Sequence, residues 1–367
     1  MKIGIITHWG SKDNYGQLLQ AFALQKFLGK LGHTVYLIRF DLLRYFLQFS
    51  PWYLLNPKKI VVWIVRLYRH ILRICSASPH DRHFMEFQNE YMNLSERIYT
   101  SVEQLQKFYP EADAYITGSD MVWCGVPPFP PFYLQFGKKE TLRLSYAAGM
   151  GFKYPATEKN ISLHRDALMP FSFVSVREQQ GVDICRKAGR EDVVLVPDPV
   201  FLHTKDFYYN TFRLPEQTQP VLLIYLVGNK CHVPYRELEL FAQKKGLQIR
   251  FIASQGQKSH KNWEQVWPSP DEFLVELAQA AYVVTNSFHG TALSIIFQKK
   301  LMVLPLKSLD DRIATITKRF HILDGVYNGI ELHFSDLTQR TDIESLMKAD
   351  IDRIAKLLQH VLIAGQQ

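Results

Sequence analysis

Apolar positions along the first forty residues change period twice. Lys2 to His8 is a nearly continuous apolar run, as in a strand buried on both faces. Gln17 to Gly29 then places Leu18, Leu19, Phe22, Ala23 and Phe27 at helical spacing, and after Gly32 the stretch Thr34 to Arg39 returns to strand character. The polar turn Gly10 to Gly16 joins the first two elements, so the chain opens as a βαβ unit. Ala114 to Thr117 and Arg143 to Ala147 are further strands, separated by the proline-rich loop Pro127 to Pro131.

From Phe171 the alternation is regular. Strands are predicted over 173–176, 193–196, 221–227, 248–253, 282–285 and 301–305. Helices fall over 178–188, 235–245, 270–280 and 290–297, and a long final helix, Ile343 to Ala364, keeps Leu346, Ile351, Ile354, Leu358 and Val361 on one side. Repeated βα units imply parallel sheets covered by helices. The expected fold is α/β, two Rossmann-like domains facing across a cleft: 1–170 with a basic aromatic insertion at about 42–91, 171–342, and a C-terminal helix over 343–367. Ligands in such sheets bind at the carboxyl ends of strands, so the turns there hold the candidate chemistry.

Composition narrows the class. The chain has 367 residues, 47% of them apolar, enough for two packed cores. Its four cysteines show no CxxC or CxxH spacing, which argues against a structural zinc and a secreted disulfide framework and fits a reducing cytoplasm. Met1 to Thr7 meets polar residues quickly and lacks a small-residue cleavage site, reading as a first strand rather than a signal peptide.

The formal charge of +8 is unevenly placed. Between Asp41 and Asp81 there is no acidic residue, but Arg44, Lys58, Lys59, Arg66, Arg69 and Arg73 occur among Tyr45, Phe46, Phe49, Trp52, Tyr53, Trp63 and Tyr68. Read as a helix, Lys59 to Cys75 sets Lys59, Arg66, Arg69, His70 and Arg73 on one arc and Ile60, Trp63, Ile64, Leu67, Ile71 and Ile74 on another. Its uninterrupted apolar run, Ile60 to Val65, is too short to span a bilayer, which takes about 20 residues. Two readings stand: a basic aromatic segment (42–75) lying on an anionic membrane surface, or a helix docked on its own domain with a solvated basic face. No nucleic-acid-binding motif accompanies it.

Five turns carry candidate chemistry. Asn286-Ser287-Phe288-His289-Gly290 follows one strand and opens a helix, offering free N–H groups, a positive dipole end and an imidazole; an ordinary N-cap with a structural histidine is the alternative. Ser175-Val176-Arg177-Glu178 ends another strand, where the planar arginine fork suits a carboxylate or phosphate and Glu178 fits a helix N-terminus. Lys307 and Arg312 follow the strand after His289, placed to close the anion site, although each alone reads equally as surface charge. In the first half, Gly118-Ser119-Asp120 presents a carboxylate able to deprotonate a sugar hydroxyl, or an Asx-type turn. Asn14, Tyr15 and Gln17 form the matching turn after the first strand. Neither GxGxxG nor GxxxxGK[ST] occurs, which disfavours nicotinamide and P-loop enzymes.

The ordered set Asn14-Tyr15-Gly16, Gly118-Ser119-Asp120-Met121-Val122-Trp123, Ser145-Tyr146-Ala147-Ala148, Ser175-Val176-Arg177-Glu178, Pro197-Asp198-Pro199-Val200, Asn286-Ser287-Phe288-His289-Gly290 and Asp311-Arg312-Ile313 resembles the polysaccharide pyruvyl transferase family. That resemblance implies a GT-B-like fold and transfer of pyruvate from phosphoenolpyruvate onto a saccharide as a ketal, with release of phosphate. On it, Arg177, His289 and Arg312 serve the donor together with Asn286, Ser287, Gly290 and Lys307. Asn14, Tyr15, Gln17, Ser119 and Asp120 face the acceptor, and the catalytic groups are His289, Asp120 and Arg177. Arginine stands at 312 where some members carry lysine, and Met121 where glutamine is frequent. The residues show no metal cluster, and no cofactor is expected beyond the donor. The implied partners are phosphoenolpyruvate and a saccharide, lipid-linked if the segment 42–75 meets a membrane. A nucleotide-sugar glycosyltransferase of the same architecture is the rival reading.

Overall fold

A computed structural model describes residues 1–47, 60–65, 67–68, 80–151, 156–228, 231–253, 260–305 and 311–365. Lys307 and the basic residues Lys58, Lys59, Arg66, Arg69 and Arg73 lie outside them.

Two parallel sheets organise the chain. The first contains β1 (Lys2–Ile6), β2 (Thr34–Phe40), β3 (Leu94–Tyr99), β4 (Ala114–Thr117) and β5 (Leu142–Ser145) in the order β3-β2-β1-β4-β5. Beyond β5 come the short parallel pair β6 (Ser175–Val176) and β7 (Val194–Leu195). The second sheet contains β8 (Gln219–Tyr225), β9 (Gln248–Ile252), β10 (Glu264–Val266), β11 (Ala280–Thr285) and β12 (Lys300–Val303) in the order β10-β9-β8-β11-β12, with β13 (Ser335–Asp336) antiparallel at its edge. Both sheets thus repeat one strand order and reverse direction at one place, between β1 and β4 and between β8 and β11. Such switch points open a crevice at the strands' carboxyl ends. The arrangement is α/β and GT-B-like, two Rossmann-like units facing one another.

The change of sheet does not coincide with the boundary expected near residue 170. Ser145 N–H donates to the Phe173 carbonyl at 3.0 Å and Ala148 N–H to the Ser175 carbonyl at 3.1 Å, so the strand leading to Arg177 continues the first sheet. Serine hydroxyls supply part of the ladder: Ser175 N–H donates to Ser145 Oγ at 2.9 Å, and Ser175 Oγ to the Ser145 carbonyl at 2.7 Å. Arg177 therefore comes from the N-terminal unit and His289 from the C-terminal one.

Five helices form or brace the interface between the units: α1 (Tyr15–Lys30), α2 (Gln179–Lys187), α3 (Pro270–Gln279), α4 (Phe288–Ile296) and α5 (Thr341–Ala364). Twelve of the sixteen residues of α1 are buried, and so are all nine of α4. A helix covered on every side belongs to a core rather than a surface. One apolar cluster accordingly runs through both units, from Ile3, Leu37 and Leu144 to Leu223, Val283 and Leu301. The Tyr15 ring stacks on Phe273 with centroids 4.3 Å apart, and its hydroxyl donates to the Pro268 carbonyl at 2.7 Å. Tyr15, expected among acceptor contacts, is thus a strut between the two units.

Candidate active site

Each unit contributes turns at the carboxyl ends of its strands. β1 runs into the loop that carries His8 and Asn14, β4 into Gly118-Ser119-Asp120, and β6 into Arg177-Glu178. From the other side β11 runs into Asn286 and Ser287, the latter the N-cap of α4, whose Oγ accepts from Gly290 N–H at 3.3 Å. Two residues at the end of the first sheet hold a left-handed backbone without being glycine: Asp120 at φ 75° and Ala147 at φ 55°. Aspartate tolerates that region better than most residues, and such backbone persists only where its surroundings fix it. Val122 N–H and Gly149 N–H do so, both donating to the Asp120 carbonyl at 2.9 Å.

Arg177 is the centre of the cluster. One of its terminal nitrogens donates to Asp198 Oδ2 at 2.8 Å and to Ser119 Oγ at 3.1 Å. The other approaches Asp120 Oδ1 at 3.5 Å, and Nε approaches Glu178 Oε2 at 3.4 Å. Arg177 and its three acidic partners are all buried. Glu178 also accepts from Met150 N–H at 2.8 Å, so it is more than a dipole-favoured helix residue. Gly149 seals this corner, since a Cβ there would lie 2.6 Å from the Asp120 carbonyl and 3.2 Å from Arg177 Nε. Expected to face a donor anion, the guanidinium instead meets three carboxylates of its own chain.

His289 reaches the cluster from the second unit, with Nε2 3.7 Å from Asp198 Oδ2. Its ring lies over Gly16 at the start of α1, so closely that a Cβ on Gly16 would fall 2.1 Å from Nδ1. Phe288 is flanked by two guanidinium carbons, that of Arg177 at 5.1 Å and that of Arg312 at 5.8 Å from the ring centroid. Arg312 therefore arrives beside the His289 turn. Asn286 and Gly290 serve the fold in this conformation. Asn286 exchanges two hydrogen bonds with the Val227 backbone, at 2.7 and 3.0 Å, and the bare face of Gly290 leaves room for Thr285 and Tyr225 rather than for a ligand.

On the acceptor side, Asn14 Oδ1 caps α1 by accepting from Gln17 N–H at 3.3 Å, and Gln17 Nε2 donates to Asp120 Oδ2 at 3.1 Å. Ser119 is buried, with its hydroxyl donated to Asp198 Oδ2 at 2.8 Å. Sequence reasoning missed His8 and Asp198. His8 sits beside Asp120 with Nε2 3.4 Å from the Met121 carbonyl. Asp198 links Arg177, Ser119 and His289; its one sequence signal was a carboxylate fixed between two prolines just past a strand.

Charge decides the ionisation of these acids. Burial alone would raise the Asp120 carboxyl, but His8, Arg177, His289 and the Gln17 hydrogen bond together hold it down, from 3.8 to about 2. Burial opposes ionisation of Asp198 too, and His289 and Arg177 overcome it, holding that carboxyl well below the usual carboxylate range. Both acids are depressed in the folded state, so their stabilising effect is complete above the unfolded value of about 4 and is lost as pH falls through the folded values. Thermal unfolding is expected to show no loss from these groups between pH 7 and 5, then a fall toward pH 2 to which Asp120 contributes on the order of 2 kcal/mol. Asp120→Asn should flatten that acid limb. An unchanged limb would show that Asp120 is not held ionised by the cluster.

No curated protein matches the chain. Among solved structures it is similar to the UDP-GlcNAc 2-epimerase of Methanocaldococcus jannaschii (12% identity, covering 98% of this chain and 100% of that one, TM-score 0.48). It is likewise similar to that of Neisseria meningitidis (10%, covering 99% and 100%, TM-score 0.48). A third is an α-glucosyltransferase in complex with UDP and DNA (9%, covering 97% and 90%, TM-score 0.49). The sequence pattern of polysaccharide pyruvyl transferases matches residues 14–308, a span that includes Asn14, Asp120, Arg177, Asp198 and His289. By that match, which takes in most of the chain, the protein belongs to the polysaccharide pyruvyl transferase family.

Proposed function

We propose that the protein transfers pyruvate from phosphoenolpyruvate to two hydroxyls of a saccharide, forming a ketal and releasing phosphate. The observation that carries this reading is the meeting of Asp120 and Arg177 from one sheet with His289 from the other, at the carboxyl ends of the strands of both. The donor's anionic groups belong on the His289 side, where the N-terminus of α4 and Arg312 supply positive charge. The charge of Arg177 is already met by three buried carboxylates, so Arg177 acts by fixing Asp120 and Asp198.

The chemistry then divides between the two units. A proton moves to the methylene carbon of phosphoenolpyruvate, and the first hydroxyl adds to the adjacent carbon while losing its own proton. The carbon–oxygen bond to phosphate breaks, and the second hydroxyl adds and loses its proton. Of the two hydroxyl protons, one balances the new methyl group and the other leaves with phosphate. His289 is the proton carrier, with Nε2 steadied by Asp198 and Nδ1 on the seam between the units. Asp120, ionised at neutral pH, is too weak a base to remove a hydroxyl proton unaided, so it orients the hydroxyl by accepting its hydrogen bond.

The test is phosphate release from phosphoenolpyruvate with a panel of saccharides, read with a mass gain of one pyruvate less one water. UDP-sugars serve as the competing donors. Asp120→Asn keeps the shape but removes the charge and is expected to lower kcat/KM about 100-fold. Transfer of a glycosyl group from a UDP-sugar, with no turnover of phosphoenolpyruvate, would overturn the reading.

A further inference from the structure

We propose that the outer face of the helix at residues 60–68 seats the protein on an anionic lipid surface, with the acceptor side of the active site turned toward the membrane. Residues 60–65 and 67–68 are helical, and their two faces are both apolar. Ile60, Trp63 and Leu67 share one side and are half-buried, and Trp63 Nε1 donates to the Leu47 carbonyl at 3.0 Å. The opposite side carries Val61, Val62, Ile64, Val65 and Tyr68, exposed by 41% to 60%. Ile64, expected on one arc with Ile60, Trp63 and Leu67, is therefore on the exposed side instead. At 100° per residue these five side chains form one continuous stripe. A helix with apolar side chains on two opposite faces is stable where both faces are covered.

Three observations identify what covers it. Six basic residues and no acidic one occur between Asp41 and Asp81, so the segment as a whole is drawn to anionic lipid headgroups and disfavours pairing with a second copy of itself. Among the described residues no helix is long and apolar enough to cross a membrane, and the apolar run Ile60 to Val65 is itself too short to span one, so a lipid contact made by it is interfacial. The third is position. The segment leaves the first sheet at the carboxyl end of β2, the same edge that carries His8 and Asp120.

An aromatic chain fastens it there. Tyr45 and Phe46 pack on Phe129 with centroids 5.2 and 6.0 Å away, Phe129 on Phe132 at 5.5 Å, and Phe132 on His8 at 4.9 Å. A saccharide carried on a lipid at the membrane would meet this edge first. That last step rests on the proposed pyruvyl transfer; the lipid seating itself does not.

Flotation with vesicles tests the seating without turnover. The full-length protein is expected to float with phosphatidylglycerol-containing vesicles, to float much less with pure phosphatidylcholine, and to be released by high salt. Val61→Gln with Val65→Gln changes only exposed side chains, so thermal unfolding should be unchanged, while the bound fraction at fixed lipid should fall at least 10-fold. Equal flotation of that variant, or no flotation of the wild type, overturns the proposal. So does a wild-type dimer that the variant converts to monomer, because the occupant would then be a second copy. Should flotation behave as expected while phosphoenolpyruvate is not turned over, the pyruvyl reading fails and the seating stands.

Discussion

Replacing Arg177 by methionine is expected to destabilise the protein by about 3–5 kcal/mol, more than it would if the arginine merely waited for a ligand. Methionine fills similar volume but leaves Asp120, Glu178 and Asp198 facing one another without the guanidinium that pairs with all three, each of them in the interior. Unpaired buried carboxylates gain by protonation, so the sign of the pH dependence should reverse. Wild type holds its stability between pH 7 and 5 and loses it in acid; the variant should become more stable as pH falls from 7 toward 5. Adding Asp198→Asn removes the carboxylate with the shortest contact to Arg177 and should restore part of the loss, a coupling that a double-mutant cycle reads directly. Thermal unfolding of the four proteins at pH 5 and 7 is sufficient. A variant as stable as wild type at pH 7 would return Arg177 to the role of a donor ligand.

Gly16→Ala should lower kcat/KM for phosphoenolpyruvate about 100-fold, although alanine is the better helix former by roughly 1 kcal/mol. Gly16 lies in the first turn of α1, and the added methyl would fall 2.1 Å from His289 Nδ1 and 2.6 Å from its Cβ. Because the clash reaches Cβ, a rotation of the ring does not relieve it; the turn that carries His289 must draw back from α1. The folded core should survive, since the rest of α1 keeps its contacts. The measurement is turnover beside thermal unfolding. Activity within threefold of wild type would mean that the contact between His289 and Gly16 has no part in catalysis.

What the sequence revealed follows from how each element is buried. Parallel strands covered on both faces are continuous apolar runs, so β1, β8, β11 and β12 were readable. β3 was not: Leu-Ser-Glu-Arg-Ile-Tyr lies at the sheet edge with three consecutive residues exposed, and an edge strand carries charges that erase the pattern. The turns of the site were found because a strand followed by a helix marks a carboxyl end. Their wiring was not, because it depends on contacts remote in the chain. Tyr15 finds a hydrogen-bond partner 253 residues away, and Arg177 finds Asp120 and Asp198 on separate turns. Nothing local distinguishes an arginine that awaits an anion from one already enclosed by three.

The last long helix settles the order in which the protein can be completed. Leu358 and Leu362 of α5 belong to the same apolar cluster as Ile3, Leu142 and Leu144, and Gly365 just beyond it presses against the Leu142 side chain. The first sheet to leave the ribosome is therefore finished by a helix made only after the whole of the second sheet. Domains of multidomain chains usually mature one by one during synthesis, N-terminal first. In this protein the early unit would hold an uncovered apolar face until α5 emerges, a period in which a chaperone has something to hold.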